Sequence, residues 1–268
     1  MSKFKLISKI FPECLKTDKQ NTSPEFAGHN VLCIYMGRIG ICNNVSVLSE
    51  CCNRLWVTKV FPIARKDAAN NELCSNEYRL LQAEKLKKYN IETLQTEAYS
   101  SQDFVMLRSN FYNDSRPLTS RDDYDVLSDY LLESSSLRGH IQNKLHELID
   151  PYCSFVTKYF DDIVLELKEC EIELTRQHGD FAPWNIKKLP RGGYLILDWE
   201  ESGILPQYFD YVYFELRRRK VKFYLKDLIT QTEKIIASLP LDNDRVRMAL
   251  CAAHIYVMYT KGYILSDD

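Results

Sequence analysis

The sequence predicts an α+β chain in which a strand-rich N-terminal part with one helix precedes a mainly helical C-terminal part. Three observations support this fold class. β-Branched and aromatic runs separated by turn residues dominate the N-terminal third. Apolar residues at helical spacing take over after Leu118. The composition changes near residues 108–116, and we therefore expect two lobes, residues 1–108 and residues 109–268.

The N-terminal part follows the order strand, strand, strand, helix, strand. The strand-like runs are NVLCIYMG (30–37), NVSVLS (44–49), RLWVTKVF (54–61) and DFVMLRSN (103–110). The helix is predicted over 66–89, where Leu73, Leu80, Leu81 and Leu86 recur at helical spacing. Lys59 is the one charge in the interior of its strand, and the segment GRIGICNN between the first two strands contains Gly37 and Gly40.

The C-terminal part surrounds a polar loop with predicted helices. Helical periodicity covers LTSRDDYDVLSDYLLE and IQNKLHELIDPYCSFVTKYFDDIVLELKEC, and it returns after Pro206. Between them lie the loop QHGDFAPWNI and a hairpin, NIKKLPRGGYLILDWEE, that turns at its glycines. The apolar run VRMALCAAHIYVMYTKGYIL is interrupted by His254 and Lys261, so it predicts a buried helix rather than a membrane span.

Composition excludes several classes of protein. With 45% apolar and 27% charged residues, the 268-residue chain is not mainly disordered, and its formal charge of −2 gives no general attraction to nucleic acid. Nine cysteines without a CxxC pair favour reduced thiols in a cytoplasmic protein. The basic start MSKFKLISKIFPECLK lacks the apolar core of a signal peptide, and weak contact with a membrane surface stays open as an alternative.

The polar loop and the hairpin after it contain the groups that phosphoryl transfer requires. This reaction needs a carboxylate to accept the hydroxyl proton, oxygen ligands for Mg²⁺ and a cation for the nucleotide phosphates. Asp180, Asn185 and Asp198 supply the oxygen groups at workable spacing, and Lys59 supplies a cation on a strand. Taken alone, HGD is more often a turn with an aspartate cap, and a strand lysine more often only discourages edge pairing.

These residues resemble a known family. HGDFAPWN has the same aspartate-to-asparagine interval as the protein-kinase motif H-R-D-x-x-x-x-N, with Gly179 in place of arginine. Together with DWE at Asp198, it resembles the aminoglycoside phosphotransferase and choline kinase family of small-molecule kinases, over about 30–214. The resemblance implies a two-lobed protein-kinase-like fold with an N-terminal antiparallel sheet. It also implies ATP in the cleft between the lobes, and ATP- and Mg-dependent transfer of the γ-phosphate to a small-molecule hydroxyl.

The resemblance also implies a role for each matching residue. Asp180 would be the catalytic base, and Asn185 and Asp198 would hold the Mg²⁺ ions. Lys59 would contact the ATP phosphates and pair with Glu77, which we prefer to Glu72 because it precedes the Leu80–Leu81 pair.

Supporting roles follow for the remaining matches. His178 would shape the loop, Glu200 would assist the metal through a water, and Asp210 would brace the loop from behind. Gly37 and Gly40 would cover the phosphates, although their segment departs from the full G-x-G-x-x-G pattern.

Several alternatives remain for the activity and the acceptor. A sugar or glycan precursor ranks first, choline-like amino-alcohols second and aminoglycosides third, and a nucleotide-binding pseudokinase remains a separate hypothesis. A protein kinase is disfavoured because Gly179 replaces the arginine that reads a phosphorylated activation loop. The segment from Asp198 to Asp210 is also too short for such a loop. The basic run from Arg217 to Lys226 is either a solvated helix face or a contact for an anionic surface or substrate.

Overall fold

The structure is a computed structural model. It describes residues 28–36, 45–100, 102–112, 114–119, 122, 124–135, 141–150 and 153–264. These residues form two compact units, each built from separate stretches of the chain. The first unit takes in described residues of Met1–Ala83, Asn90–Arg116 and Lys188–Glu201, and the second those of Glu84–Tyr89, Pro117–Lys187 and Ser202–Asp268.

The first unit is built on a five-stranded antiparallel sheet. Its strands are β1 (Asn30–Met36), β2 (Val45–Cys51), β3 (Arg54–Pro62), β5 (Thr96–Ser100) and β6 (Phe104–Asn110). The short strand β4 (Ile91–Thr93) lies between β3 and β5 in the sequence and is not part of this sheet. The spatial order is β1-β2-β3-β6-β5, and every neighbouring pair is antiparallel. This confirms the predicted antiparallel sheet and the predicted order of three strands, a helix and a strand. The unpredicted strand β5 is mostly exposed, so it lacks the apolar signal that marks the others.

Side chains alternate across this sheet and bury its two faces separately. Val45, Val47 and Val60 belong to an apolar cluster on one face, and Phe61 belongs to a second cluster on the other. The second cluster includes Ala69 of helix α1 (Lys66–Leu81), so the helix covers that face.

The predicted helix over 66–89 is two helices rather than one. Helix α1 ends at Leu81, and α2 (Ala83–Lys88) follows after Gln82. Leu80 and Leu81 are 74% and 72% exposed, so they lie outside the buried face of the helix although they recur at helical spacing. The buried face carries the small residues Ala68 and Ala69 instead, because the helix lies close to the sheet.

The second unit combines helices with a three-stranded antiparallel sheet. The sheet has the order β12-β9-β8, with β8 (Ile141–Lys144), β9 (Glu171–Gln177) and β12 (Gly203–Pro206). The helices are α3 (Asp125–Ser135), α4 (Leu145–Leu148), α5 (Ser154–Tyr159), α6 (Asp161–Leu167), α7 (Phe209–Arg218), α8 (Leu225–Ala237) and α9 (Asp244–Thr260). The chain also contains the short strands β7 (Arg116–Pro117), β10 (Ile186–Lys188) and β11 (Tyr194–Ile196), of which β11 belongs to the first unit.

One predicted helical segment differs in the structure. The run over 141–170 contains strand β8 and three short helices, because residues 141–144 pair with β9 along their whole length. Pairing with a distant strand overrides a local helical pattern.

Helix α9 is buried, as the sequence predicts. Ala249, Ala253, His254 and Ile255 are at most 1% exposed and lie among the apolar side chains of α7 and α8. Among the described residues, no helix combines the length and the apolar character needed to cross a membrane.

Candidate active site

Lys59 of β3 lies between two carboxylates of the first unit. Its Nζ donates to Oε1 of Glu72 at 3.1 Å and to Oδ1 of Asp198 at 2.6 Å. The lysine side chain is only 19% exposed, and a cation removed from water requires such partners. Helix α1 supplies one carboxylate and the segment after β11 supplies the other, so three distant parts of the chain fix one ammonium group.

The pKa values of Lys59, Glu72 and Glu200 depend on the charges around them. Burial alone would lower the pKa of Lys59, but the Glu72 and Asp198 carboxylates raise it overall, so the lysine stays charged. Burial raises the pKa of Glu72, and Lys59 opposes this shift. Burial and then the neighbouring Asp198 raise the pKa of Glu200. The set therefore concentrates more carboxylates than its one lysine neutralises, which suits a site that binds a further cation.

The pairing of Lys59 corrects the choice between two glutamates of α1. The sequence analysis prefers Glu77, whereas the structure pairs Lys59 with Glu72. Helix positions five residues apart differ by about 140° around the axis, so a lysine that meets position 72 does not meet position 77. Glu77 lies in α1, but its side chain is outside the part of the chain that the structure describes.

The backbone at Asp198 turns sharply out of strand β11. Asp198 has a φ of 66°, in the left-handed region that aspartate tolerates better than most residues. The following turn, Trp199–Glu201, is anchored by the buried Trp199 ring and by Asn71 of α1, whose side-chain amide donates to the Glu200 carbonyl at 3.2 Å. The Asp198 side chain remains 38% exposed, so its carboxylate is accessible to a ligand.

The loop after β9 holds a second set of residues in the second unit. Nδ2 of Asn185 donates to the backbone carbonyl and to Oδ2 of Asp180, both at 2.9 Å. The backbone N–H of Asp180 donates to Nδ1 of His178 at 3.2 Å, so this ring nitrogen acts as an acceptor. His178 is 1% exposed and therefore shapes the loop from inside it. The Oδ1 oxygen of Asn185 is the atom of that side chain suited to bind a metal ion.

Asp210 of α7 holds the start of this loop. Its two carboxylate oxygens accept the backbone N–H groups of His178 at 2.6 Å and Gly179 at 2.8 Å. Gly179 has a φ of 83°, in the left-handed region that favours glycine over residues with a side chain. Burial raises the pKa of Asp210 to about 7, although both N–H groups lower it. The structure therefore places Asp210 where a residue that braces the loop must be.

Gln177, at the end of β9, connects the same loop to the sheet. Its Nε2 donates to the carbonyl of Pro206 at 2.6 Å, and its Oε1 accepts the backbone N–H of Asp210 at 2.8 Å. The sequence analysis missed this residue, and a lone glutamine before HGD gives no signal by which to find it.

Tyr213 and Arg217 of α7 are further residues that the sequence analysis did not connect to the loop. Nη2 of Arg217 donates to the Tyr213 hydroxyl at 3.0 Å, and the same hydroxyl lies close enough to the Asp180 carboxyl for the two groups to interact electrostatically. Burial raises the pKa of Tyr213, and the charge of Asp180 raises it further. The four-residue spacing of Tyr213 and Arg217 on one helix is the signal that was available.

The structure thus brings the predicted residues together in two sets. Lys59, Asp198 and Glu200 lie in the first unit with Glu72. The second unit holds a set that consists of His178, Asp180, Asn185 and Asp210. Gly37 and Gly40 lie outside the described residues. Among the described residues, no three His, Cys, Asp or Glu side chains form a ready-made metal cluster.

Comparisons with known proteins define the fold. No family model and no curated protein matches this sequence. Among solved structures, the choline kinase LicA from Streptococcus pneumoniae is 16% identical, with 98% of this chain and 93% of that chain covered and a TM-score of 0.50. A putative fructosamine-3-kinase from Haemophilus somnus 129PT is 11% identical, with coverage of 88% and 85% and a TM-score of 0.52. The aminoglycoside phosphotransferase APH(4)-Ia is 13% identical, with coverage of 89% and 89% and a TM-score of 0.50.

The chain therefore has an α+β protein-kinase-like fold, which confirms the predicted fold class. Within that class, its fold is similar to those of kinases that act on small molecules. At these identities the similarity defines the fold, and the argument for function depends on the residues of the two sets.

Proposed function

We propose that this chain is a phosphotransferase that moves the γ-phosphate of ATP to a hydroxyl of a small polar molecule, with Mg²⁺ as cofactor. The observation that carries the proposal is the Lys59 ammonium group of the first unit, held between the Glu72 and Asp198 carboxylates. A strand lysine paired with a helix glutamate is what phosphate binding in kinase folds requires.

The first set of residues would bind the nucleotide phosphates. Lys59 keeps its charge when buried, so it can neutralise phosphate oxygens, while Glu72 holds it in position. Asp198 offers an accessible carboxylate, the hard oxygen ligand that Mg²⁺ prefers, and Glu200 would act through a water. Bound Mg²⁺ supplies charge stabilisation for the transferring phosphoryl group.

The second set of residues would bind and activate the acceptor hydroxyl. In this proposal Asp180 accepts the hydroxyl proton, and Asn185 fixes the orientation of its carboxylate through Nδ2 while offering Oδ1 to a metal ion. His178 does not act as the base, because its Nδ1 accepts the backbone N–H of Asp180. Asp210 holds the two preceding backbone N–H groups and so keeps the loop in place.

The proposed class of acceptor is based on the sequence motifs and on the similar solved structures. A sugar or glycan precursor ranks first, and choline-like amino-alcohols and aminoglycosides rank behind it. The similar structures are those of a choline kinase, a putative fructosamine-3-kinase and an aminoglycoside phosphotransferase, so small hydroxyl compounds are the common theme. A complex of LicA with AMP supports an adenine nucleotide as the donor.

Two measurements test the proposal. Thermal unfolding of the purified protein should shift upward with ATP and MgCl2 and less with ATP alone, since ligands that bind the native state stabilise it. Nucleotide consumption should then rise with one of a panel of acceptors: hexoses, choline, ethanolamine and kanamycin.

The Asp180→Asn variant is the control for this activity. Mg·ATP stabilisation without any turnover would favour a nucleotide-binding pseudokinase. The absence of both effects would overturn the proposal.

A further inference from the structure

The guanidinium group of Arg217 lies in a cage of four aromatic rings. Its Cζ is 3.7 Å from the ring centre of Phe223, 4.9 Å from that of Tyr213, 5.2 Å from that of Trp184 and 5.9 Å from that of Tyr263. All four distances are within the range in which a ring attracts a cation. We call these four rings and Arg217 the arginine cage. The cage holds a positive charge at a defined position in the second unit.

Arg217 differs from the two arginines that follow it. Arg218 and Arg219 both pair with the buried Glu215, and Arg218 also pairs with Asp125. Among the ion pairs of the described residues, Arg217 takes part in none, and its buried Nε has no hydrogen-bond partner there. Arg217 is therefore partly buried against aromatic rings and, among the described residues, forms no ion pair with a carboxylate.

The arginine cage lies beside the proposed catalytic base. Nη2 of Arg217 donates to the Tyr213 hydroxyl at 3.0 Å, and the charge of Asp180 acts on the same hydroxyl. One ring of the cage, that of Trp184, comes from the loop that carries Asp180. Trp184, which follows Asp180 in the same loop, is 52% exposed, so the cage has a side that faces solvent. A small molecule with a hydroxyl at Asp180 is long enough to reach the cage.

We propose that Arg217 is a specificity-determining residue that binds a carboxylate or phosphate group of the acceptor. The acceptor is then an anionic hydroxyl compound, such as a sugar acid or a sugar phosphate. The inference rests on the proposed function and narrows its acceptor class. The planar guanidinium presents donors in a fork that matches two oxygens of such a group, and stacking on the rings keeps it in place. A cationic acceptor such as choline is disfavoured, because the cage already contains a cation.

Arg217 positions the acceptor and takes no part in the bond changes. The acceptor hydroxyl oxygen forms a bond to the γ-phosphorus of ATP, and the bond from that phosphorus to the β,γ-bridging oxygen breaks. The hydroxyl proton goes to Asp180, and the products are ADP and a phosphate ester.

Equilibrium binding without nucleotide tests the inference independently of turnover. We would titrate three matched pairs at constant ionic strength by calorimetry: gluconate with glucose, glycerate with glycerol, and glucose 6-phosphate with glucose. At least one anion should bind about tenfold or more tightly than its neutral partner, since a hydrogen bond to a charged group contributes that much. Choline should bind more weakly than the preferred anion.

Variants then locate the preference. Arg217→Gln should bring the affinity ratio of the preferred pair close to one. Lys222→Gln removes one charge from the exposed part of the same basic run and should leave the ratio unchanged. Equal affinity within all three pairs, tighter binding of choline, or a preference that survives in folded Arg217→Gln would overturn the inference. The wild-type ratios need no variant, so equal affinity within all three pairs would overturn the inference even if Arg217→Gln fails to fold.

Turnover separates this inference from the proposed function. An anion preference without nucleotide consumption would count against the phosphotransferase and leave the anion site standing. Nucleotide consumption with choline or glucose in preference to every anion would support the phosphotransferase and count against the anion site.

Discussion

Asn185 donates two hydrogen bonds to Asp180, one to its backbone carbonyl and one to its carboxylate, both at 2.9 Å. The amide therefore fixes both the loop backbone and the side chain of the proposed base. A base held in this way needs no reorganisation before it accepts a proton, which is how a positioned carboxylate contributes to rate. The asparagine thus has a structural task in addition to any contact with metal.

The Asp180→Asn substitution should abolish most turnover without unfolding the protein. The amide keeps the size of the side chain but does not accept the hydroxyl proton, and general-base catalysis contributes roughly 10²–10⁴-fold. Steady-state kcat measures the loss, and the affinity for Mg·ATP should change little. Asp242→Asn, at an exposed position away from the loop, is the matched control and should retain wild-type kcat. Wild-type turnover in folded Asp180→Asn would mean that another group accepts the proton.

Glu72→Gln should lower kcat/KM, whereas Glu77→Gln on the same helix should not. Glu72 contacts Lys59 directly, so its neutral form leaves the lysine with Asp198 as its remaining carboxylate. In a double-mutant cycle with Lys59→Met, the Glu72 effect should be non-additive by about 0.5–3 kcal/mol. Additive effects at position 72, or a larger effect at position 77, would contradict the observed pairing.

Asp198→Asn should weaken the dependence of nucleotide binding on Mg²⁺. A carboxylate is a stronger ligand for this hard cation than an amide, so the loss should appear with Mg·ATP and much less with ATP alone. Calorimetric titration of ATP with and without MgCl2 measures both affinities. Glu201 belongs to the turn that follows Asp198 and is therefore a poor control, so Asp242→Asn serves again. Identical Mg²⁺ dependence in wild type and Asp198→Asn would exclude Asp198 as a ligand.

His254 should make the protein less stable as the pH falls below neutrality. Burial lowers the pKa of His254 to about 4 from the ordinary histidine value of 6.5, while its Nε2 contacts the Gln207 carbonyl at 2.8 Å. Between these pKa values the unfolded chain binds a proton that the folded chain does not. The contribution of His254 to the free energy of unfolding is therefore fully present above pH 6.5. It is lost as the pH falls toward 4, and the loss is on the order of 3 kcal/mol.

Chemical denaturation at pH 7.5 and pH 4.5 measures this effect. His254→Gln should lose less free energy of unfolding than wild type between the two pH values. His146→Gln, at a side chain 43% exposed, should behave as wild type does. The same pH dependence in all three proteins would show that His254 does not cause it.

The sequence predicts the site residues that are adjacent in the chain better than their distant partners. HGDFAPWN places Asp180 and Asn185 in one loop, and the structure joins them by hydrogen bonds. The error at Glu77 came from relying on its position just before the Leu80–Leu81 pair, which is exposed in the structure. Ala68, Ala69, Glu72 and Leu73 recur at helical spacing, and this pattern was available to identify the buried face of α1.

Other features depend on contacts that no local pattern contains. Strand β8 lies in a stretch with helical periodicity and becomes a strand because β9 pairs with it. The arginine cage collects rings from the loop after β9, helix α7 and two later segments. A run of basic residues looks uniform in sequence, and only packing separates Arg217 from Arg218 and Arg219.

The parallel pairing of β11 with β4 has a consequence for the order in which the chain is synthesised. Lys59 and Glu72 leave the ribosome early, but Asp198 is 139 residues behind Lys59. The first unit therefore remains incomplete through most of translation, and its lysine lacks one of its two carboxylates during that time. A fragment that ends at residue 108 would lack β11 and Asp198, so an isolated N-terminal piece is expected to be a poor nucleotide-binding module. A fragment in which residues 188–201 are fused through a linker to the N-terminal strands would restore Asp198 and offers a better minimal unit.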